Sequence, residues 1–184
     1  MKIIQYHTAQ AFITDNLSLL QKEEAANNLI IGLAFGIEAK KYPIEASLLF
    51  AVEDENKSIF CALQTPNRNL TLYGAESAIP MAVSWLDGFC KDNDHIIPGL
   101  VAPKALTISF AEHWQKQTRT PWKIHMAQRV FQLDRVTEFS EAPGFLRKAT
   151  DKDMSTIARW LIDFHQEAID EDIRGEEMKS AQKM

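Results

Sequence analysis

At 184 residues, 46% hydrophobic and 24% charged, the chain has ordinary globular composition and enough apolar residues to bury a core. The formal charge is -5, and Glu167, Asp170, Glu171, Asp172, Glu176 and Glu177 crowd together, which argues against a phosphate-backbone partner and so against nucleic acid. Cys61 and Cys90 form no CxxC pair, Met1 to Gln10 holds no apolar leader, and the apolar run Leu29 to Ile37 is under half a bilayer span, so a reduced, cytoplasmic setting away from membranes is expected.

Lys2 to Tyr6 alternates as a short strand, and Thr8 caps a helix whose Phe12, Ile13, Leu17 and Leu20 face one way. In a second helix Ala26, Leu29, Ile30, Leu33, Ala34 and Ile37 keep helical spacing while Ile31 and Phe35 fill the other side, which predicts cover on two faces and an end before Pro43. Its Gly32 and Gly36 suit close helix packing, and Asn27 and Asn28 suit hydrogen bonds to backbone.

Ser47 to Val52 and Ser58 to Leu63 are β-favouring runs joined by a charged turn, and Asn69 to Tyr73 reads as a third strand ending at Gly74, so three antiparallel strands in a row are expected. A helix follows around Pro80 to Cys90, then a strand at Ile96 to Val101, a helix from Pro103 to about Gln117, and a long strand from Trp122 to Leu133. Pro80 and Pro103 suit first-turn positions, where a missing N–H costs little. Trp114 and Trp122 read as core aromatics, and Arg129, within an apolar strand, would need an acid if buried.

Thr137 to Gly144 is a linker by composition, closing a first domain at 1–136. After it Phe145 to Ala149 reads as a short strand, Thr150 with Asp153 as a capping-box start, and Met154, Ile157, Ala158, Leu161, Ile162 and Phe164 as a helical apolar stripe. At an offset of 142 residues the pattern repeats the chain's opening: Thr150 falls on Thr8, Met154 on Phe12, Thr156 on Thr14, Leu161 on Leu19, Ile162 on Leu20 and Ala168 on Ala26. Residues 145–184 are therefore expected to open a second copy of the fold and to stop before completing it.

The order β-α-α-β-β-β-α-β-α-β in an α/β (α+β) chain resembles the GNAT N-acetyltransferase fold. EEAANNLIIG (Glu23 to Gly32), IPGLVAPKALTISFAEHW (Ile97 to Trp114) and MAQRVFQLDRV (Met126 to Val136) resemble the N-terminal half of bacterial two-half GNAT proteins. GFLRKATDKDMSTIARWLIDFHQEA resembles the start of their catalytic half. The resemblance implies a parent enzyme that moves an acetyl group from acetyl-CoA to a small-molecule or peptide amine.

Such an enzyme needs an [RQ]xxGx[GA] loop, whose backbone amides at a helix N-terminus hold the cofactor's pyrophosphate. Three residues before Gly32, Gly36, Gly74, Gly88, Gly99, Gly144 and Gly175 stand Leu29, Leu33, Thr71, Trp85, Ile96, Glu141 and Asp172, so the loop is absent. Its expected place in the first domain is Gly74 to Ala78, where Glu76 would set a carboxylate against phosphates. The first domain is thus expected to be degenerate and the chain by itself inactive, with no cofactor-binding or catalytic residue to assign. The competing class is a non-catalytic module that recognises an acceptor or a partner chain.

The resemblance also implies that the first helices of the catalytic half wall the acceptor site, which makes Trp160, Phe164 and Glu167 acceptor-wall candidates; the residues themselves read more readily as core aromatics of an amphipathic helix and, for Glu167, as the start of a solvated acidic end. Exposed apolar surface around Trp160 and Phe164 would favour self-association. His7, His95, His113, His125 and His165 show no HxxxH or HxxEH spacing, so no metal is expected, and no GxSxG elbow marks a hydrolase.

Overall fold

A computed structural model describes residues 1–138 and 143–168. The chain divides into two units, Met1–Asp134 and Arg135–Met184. The first is a mixed α/β unit built on a five-stranded, mostly antiparallel sheet.

Strand β1 (Lys2–Gln5) leads into helix α1 (Ala9–Leu20). Thr8, held extended, starts α1 by accepting the Ala11 N–H on its hydroxyl at 3.3 Å, so one orphan donor of the first turn is satisfied. Helix α2 (Glu24–Glu38) follows after one 3-10 turn, and the buried Asn27 donates its amide N–H to the Leu20 carbonyl at 2.8 Å, tying α2 to the end of α1. Only one face of α2 is covered: Ile30, Ala34 and Ile37 are buried, whereas Leu29 and Phe35 are 45% and 47% exposed. The expected second covered face is therefore corrected. A Cβ at Gly32 would meet nothing within 4 Å, and one at Gly36 would meet the Tyr42 ring at 2.9 Å, so neither glycine serves helix-helix packing.

Strands β2 (Leu48–Asp54), β3 (Lys57–Gln64) and β4 (Leu70–Gly74) form the predicted antiparallel run. Glu55 and Asn56 join β2 to β3 with φ of 48° and 62°, the left-handed pair of a tight hairpin turn, and Asn tolerates that region well. Helix α3 (Ile79–Asn93), a short β5 (Leu100–Val101) parallel to β4, and helix α4 (Lys104–Thr118) complete the unit. The sheet order is β1-β2-β3-β4-β5.

Alternation along the central strands serves two cores. Leu48, Phe50, Val52, Phe60, Ala62, Leu70 and Leu72 face α3 and α4, where Ala82, Leu86, Leu106 and Phe110 meet them. Leu49, Ala51, Cys61 and Leu63 face α1 and α2, against Phe12, Leu20, Ile30 and Ala34. Phe12, Phe50, Phe60 and Phe110 are fully buried, and each such side chain contributes about 1.5–3 kcal/mol.

Three strand expectations are corrected. The strand at Ile96 to Val101 is only Leu100–Val101, because Pro98 has no N–H to give a ladder. Trp122 to Leu133 forms no strand, and Trp122, Ile124, Met126, Val130, Phe131 and Leu133 are 39–86% exposed, so Trp122 is not a core residue and Arg129 is exposed. Phe145 to Ala149 is not a strand either, with Phe145 86% and Leu146 101% exposed. Period-2 patterning marks a segment that fits a sheet, and the ladder still needs a partner.

In the second unit the Thr150–Asp153 capping box is formed, the Thr150 N–H donating to the Asp153 carboxylate at 2.8 Å. Arg147 holds the same carboxylate in a two-pronged pair at 2.7 Å for each bond. Helix α5 (Met154–Ala168) follows, and none of its residues is buried. Residues 139–142 of the predicted linker, and with them Glu141, lie outside the described residues. So do Asp170, Glu171, Asp172, Gly175, Glu176 and Glu177.

Candidate functional site

In a sheet with parallel strands, the chain leaves the carboxyl ends through loops that meet helix N-termini, a common place for ligands. In unit 1 that place is the end of β4 and β5. Their pairing covers Leu70↔Leu100 and Thr71↔Val101, while β4 runs on through Leu72, Tyr73 and Gly74. The 3-10 turn Glu76–Ala78 then turns the chain into α3, and Pro103 opens α4 beside it; this turn touches α4.

Gly74 makes the exit from β4 possible. Its φ is +141°, a region that side chains avoid, and a Cβ there would lie 2.4 Å from both the Ile59 carbonyl oxygen and Phe60 Cα. The next amide, Ala75 N–H, donates to that Ile59 carbonyl at 2.8 Å. Opposite Gly74 in the ladder stands Phe60, whose ring stacks on Phe110 of α4 with centroids 6.2 Å apart and planes 9° from parallel.

Helix N-termini favour anions, and α3 and α4 both begin here without a side-chain cap. Glu76 is exposed in the turn before α3, and Lys104 is exposed in the first turn of α4. Space for a phosphate group needs backbone amides over an open glycine-rich turn. Here the single glycine is pressed against β3, the interior is filled by Phe60, Phe110, Ala78 and Ile79, and the rim carries the Glu76 carboxylate. The residues present do not fit the pyrophosphate of acetyl-CoA.

A second polar cluster lies at the other end of the same strands. Gln64, 3% exposed at the end of β3, donates its amide N–H groups to the carbonyls of Arg68 at 2.7 Å and Ile96 at 3.1 Å. Its amide oxygen is then the group that faces His95 Nε2 at 2.7 Å, so the neutral imidazole carries its proton on Nε2. Burial lowers the His95 pKa below its ordinary value. The Phe89 ring meets the imidazole edge-on, 5.3 Å between centroids. This cluster braces the turn after β3, the end of α3 and the approach to β5; it presents no nucleophile.

Asp87 of α3 is a third buried polar group, 6% exposed, accepting from Lys91 Nζ at 2.8 Å and from Gln117 of α4 at 3.1 Å. The Lys91 bond holds the Asp87 carboxyl below the usual carboxylate range. The fully buried Asn16 donates to the Phe12 carbonyl at 2.8 Å and accepts from Ser58, while the Tyr6 hydroxyl is buried and that burial raises the phenol pKa. Burial also raises the thiols of Cys61 and Cys90, the reverse of what a nucleophilic cysteine needs. Among the described residues no group of three His, Cys, Asp or Glu side chains is placed to hold a metal ion. Nor is any helix among them long and apolar enough to cross a membrane.

No protein-family model, curated protein or solved structure matches the sequence.

Trp160, Phe164 and Glu167 lie at i, i+4 and i+7 on α5, hence on one helix face, and all three are exposed, the aromatics at 64% and 60%. Sequence reasoning missed the Gln64–His95 and Asp87–Gln117 contacts. The Asp87-to-Lys91 spacing was a readable i, i+4 pair, but nothing local marks Gln64, whose partner is 31 residues away.

Proposed function

We propose that residues 1–134 form a degenerate GNAT-like domain that supports or recognises, and does not itself transfer, in an acetyl-CoA-dependent N-acetyltransferase of the two-half type. The observation that carries this reading is the run of three antiparallel strands continued by a parallel β5, with the turn into α3 directly after β4. The order β-α-α-β-β-β-α-β-α of the unit is in keeping with it.

The same place argues against chemistry in this domain. Phe60 and Phe110 occupy its interior, and Glu76 sets a negative charge where phosphates would arrive. Acetyl transfer then belongs to a catalytic half whose opening is the capped helix α5. Within that reading Trp160, Phe164 and Glu167 are acceptor-wall residues, and the acceptor is an amine. Alanine at Glu167 in an active two-half protein should raise the acceptor KM; an unchanged KM removes Glu167 from the wall.

Titrating acetyl-CoA into the chain by calorimetry, with desulfo-CoA as a control for pyrophosphate-driven binding, tests the central point. No heat at millimolar ligand is expected. Micromolar binding would mean that the first domain holds a cofactor site of its own and would overturn the degenerate reading.

The alternative is a module outside acetyl transfer altogether, recognising a partner chain. It is favoured by the exposed apolar residues of α5 and of residues 122–133.

A further inference from the structure

We propose that the strip formed by Trp160 and Phe164 on α5, edged by Asp163 and Glu167, binds organic ammonium ions that carry an apolar body. This names the class of amine for the acceptor wall. The binding rests on α5 itself, and only the role of acceptor rests on the acetyl-transfer reading above.

Helices α1 and α5 start alike, each from a threonine held extended: Thr8 at φ -138° and ψ 142°, Thr150 at φ -125° and ψ 172°. Counted from these caps, the positions that α1 buries are Phe12, Ile13, Asn16, Leu19 and Leu20. The same positions of α5 hold Met154, Ser155, Ala158, Leu161 and Ile162, a mostly apolar set. Asp15, Ser18 and Lys22, which are exposed, correspond to Ile157, Trp160 and Phe164. Helix α5 therefore carries a second apolar strip that packing of the α1 kind does not use. Trp160 and Phe164 are 64% and 60% exposed. An exposed aromatic strip with a polar rim is the mark of a recognition surface.

The rim selects the ligand. Neighbours on a helix surface stand three and four residues apart, so Asp163 borders Trp160, Glu167 borders Phe164, and the two carboxylates lie one turn from each other. Both carboxylates are exposed, and among the described residues neither is in an ion pair. Arg159, four residues before Asp163, lies on the far side of it from Trp160 and makes no ion pair with it. Two rings beside two carboxylates complement a cation with a hydrocarbon body. The ammonium gains from the Trp160 face, since indole is the best of the aromatic faces for a cation, and from the carboxylate next to it. Aryl or alkyl carbon then lies along Phe164. Amines that also carry phosphate or carboxylate groups are repelled by Asp163 and Glu167, and a neutral body gains nothing from them.

Two-dimensional NMR of the whole chain, titrated with phenethylamine at pH 7, should move the Trp160 indole N–H and the amides of residues 157–167, with Kd on the order of 1 mM. Trp160→Phe assigns the indole signal, and Trp160→Ala should weaken binding at least fivefold. Phenethyl alcohol, the same body without the charge, should also bind at least fivefold more weakly. The double variant Asp163→Asn, Glu167→Gln should erase that preference. No residue of α5 is buried, so these variants should leave the far-UV circular dichroism unchanged. Benzyltrimethylammonium, which cannot be acetylated, should bind as phenethylamine does, so that binding is read apart from transfer. No shifts at tens of millimolar phenethylamine would overturn the proposal, and so would equal binding of the alcohol or shifts centred on another site. Shifts of the same signals that follow protein concentration in place of ligand would seat a second copy on the strip and overturn it as well. If ammonium binding holds while an active two-half protein acetylates no amine, the transfer reading fails and the ammonium site stands.

Discussion

Phe110 of α4 lies on Phe60 of β3, rings 9° from parallel and 6.2 Å between centroids, directly across from the residue where β4 ends, Gly74. A side chain at Gly74 would collide with Phe60 Cα and the Ile59 carbonyl. The glycine therefore serves the sheet and not a ligand. Alanine at Gly74 combines a backbone region costing about 1–3 kcal/mol for non-glycine residues with that overlap, so a loss of at least about 2 kcal/mol is expected. Urea unfolding reads it directly, and an unchanged midpoint would mean that the strand exit relaxes freely.

Removing the Phe110 ring separates packing from binding. Phe110→Ala should destabilise the unit by about 3–5 kcal/mol through the lost contacts and the cavity left behind. If Glu76 and the missing amide cradle bar acetyl-CoA independently of the ring, the variant still gives no calorimetric signal with acetyl-CoA. Binding that emerges in Phe110→Ala would identify the ring as the sole obstacle.

The Gln64–His95 contact makes stability depend on pH near neutrality. Burial lowers the pKa of His95 in the fold, so as pH falls through the ordinary histidine value of 6.5 the unfolded chain takes up the proton first. The contribution is therefore complete above that value and declines as pH drops toward the folded pKa. Between pH 7.5 and 5.5 the chain should lose stability, and His95→Gln should flatten the slope. Gln64→Ala, which leaves the Arg68 and Ile96 carbonyls and the imidazole N–H without their partner, should cost about 2 kcal/mol or more at pH 7.5.

Much of the fold could be read from short-range chemistry. Thr8 before a helical stripe, Pro80 in the first turn of α3, and a charged turn between two β-favouring runs each act within a few residues of where they stand. The partnerships that shape the candidate site are long-range: Gly74 against Phe60, Phe60 against Phe110, Gln64 against His95. No spacing in one chain announces them. Trp122–Leu133 forms no strand for a related reason, since alternation describes a surface that fits a sheet and carries no information about which edge receives it. An apolar residue on each side of a helix predicts cover on both, yet in α2 the Phe35 ring is 47% exposed, because cover is supplied by neighbours distant in the chain.

Asp87 gives the acid limb of the stability profile. Its carboxylate joins α3 to α4 through Gln117 and is held below the usual range chiefly by Lys91. A depressed carboxylate contributes fully above its ordinary value of 3.8 and loses that contribution as pH falls through the folded pKa. This loss begins well below the window in which His95 acts, so the two are separable in one titration. Asp87→Asn preserves shape while removing the charge from both bonds. An i, i+4 ion pair contributes only about 0.3–0.5 kcal/mol, and a hydrogen bond to a charged group about 1.5–3, so a net cost near 1–2 kcal/mol at pH 7 is expected. The same substitution should leave the pH 7.5-to-5.5 slope unaltered while weakening the fall below pH 4. Should the acid limb persist in full in Asp87→Asn, other carboxylates carry it and the α3-to-α4 tie is of minor weight.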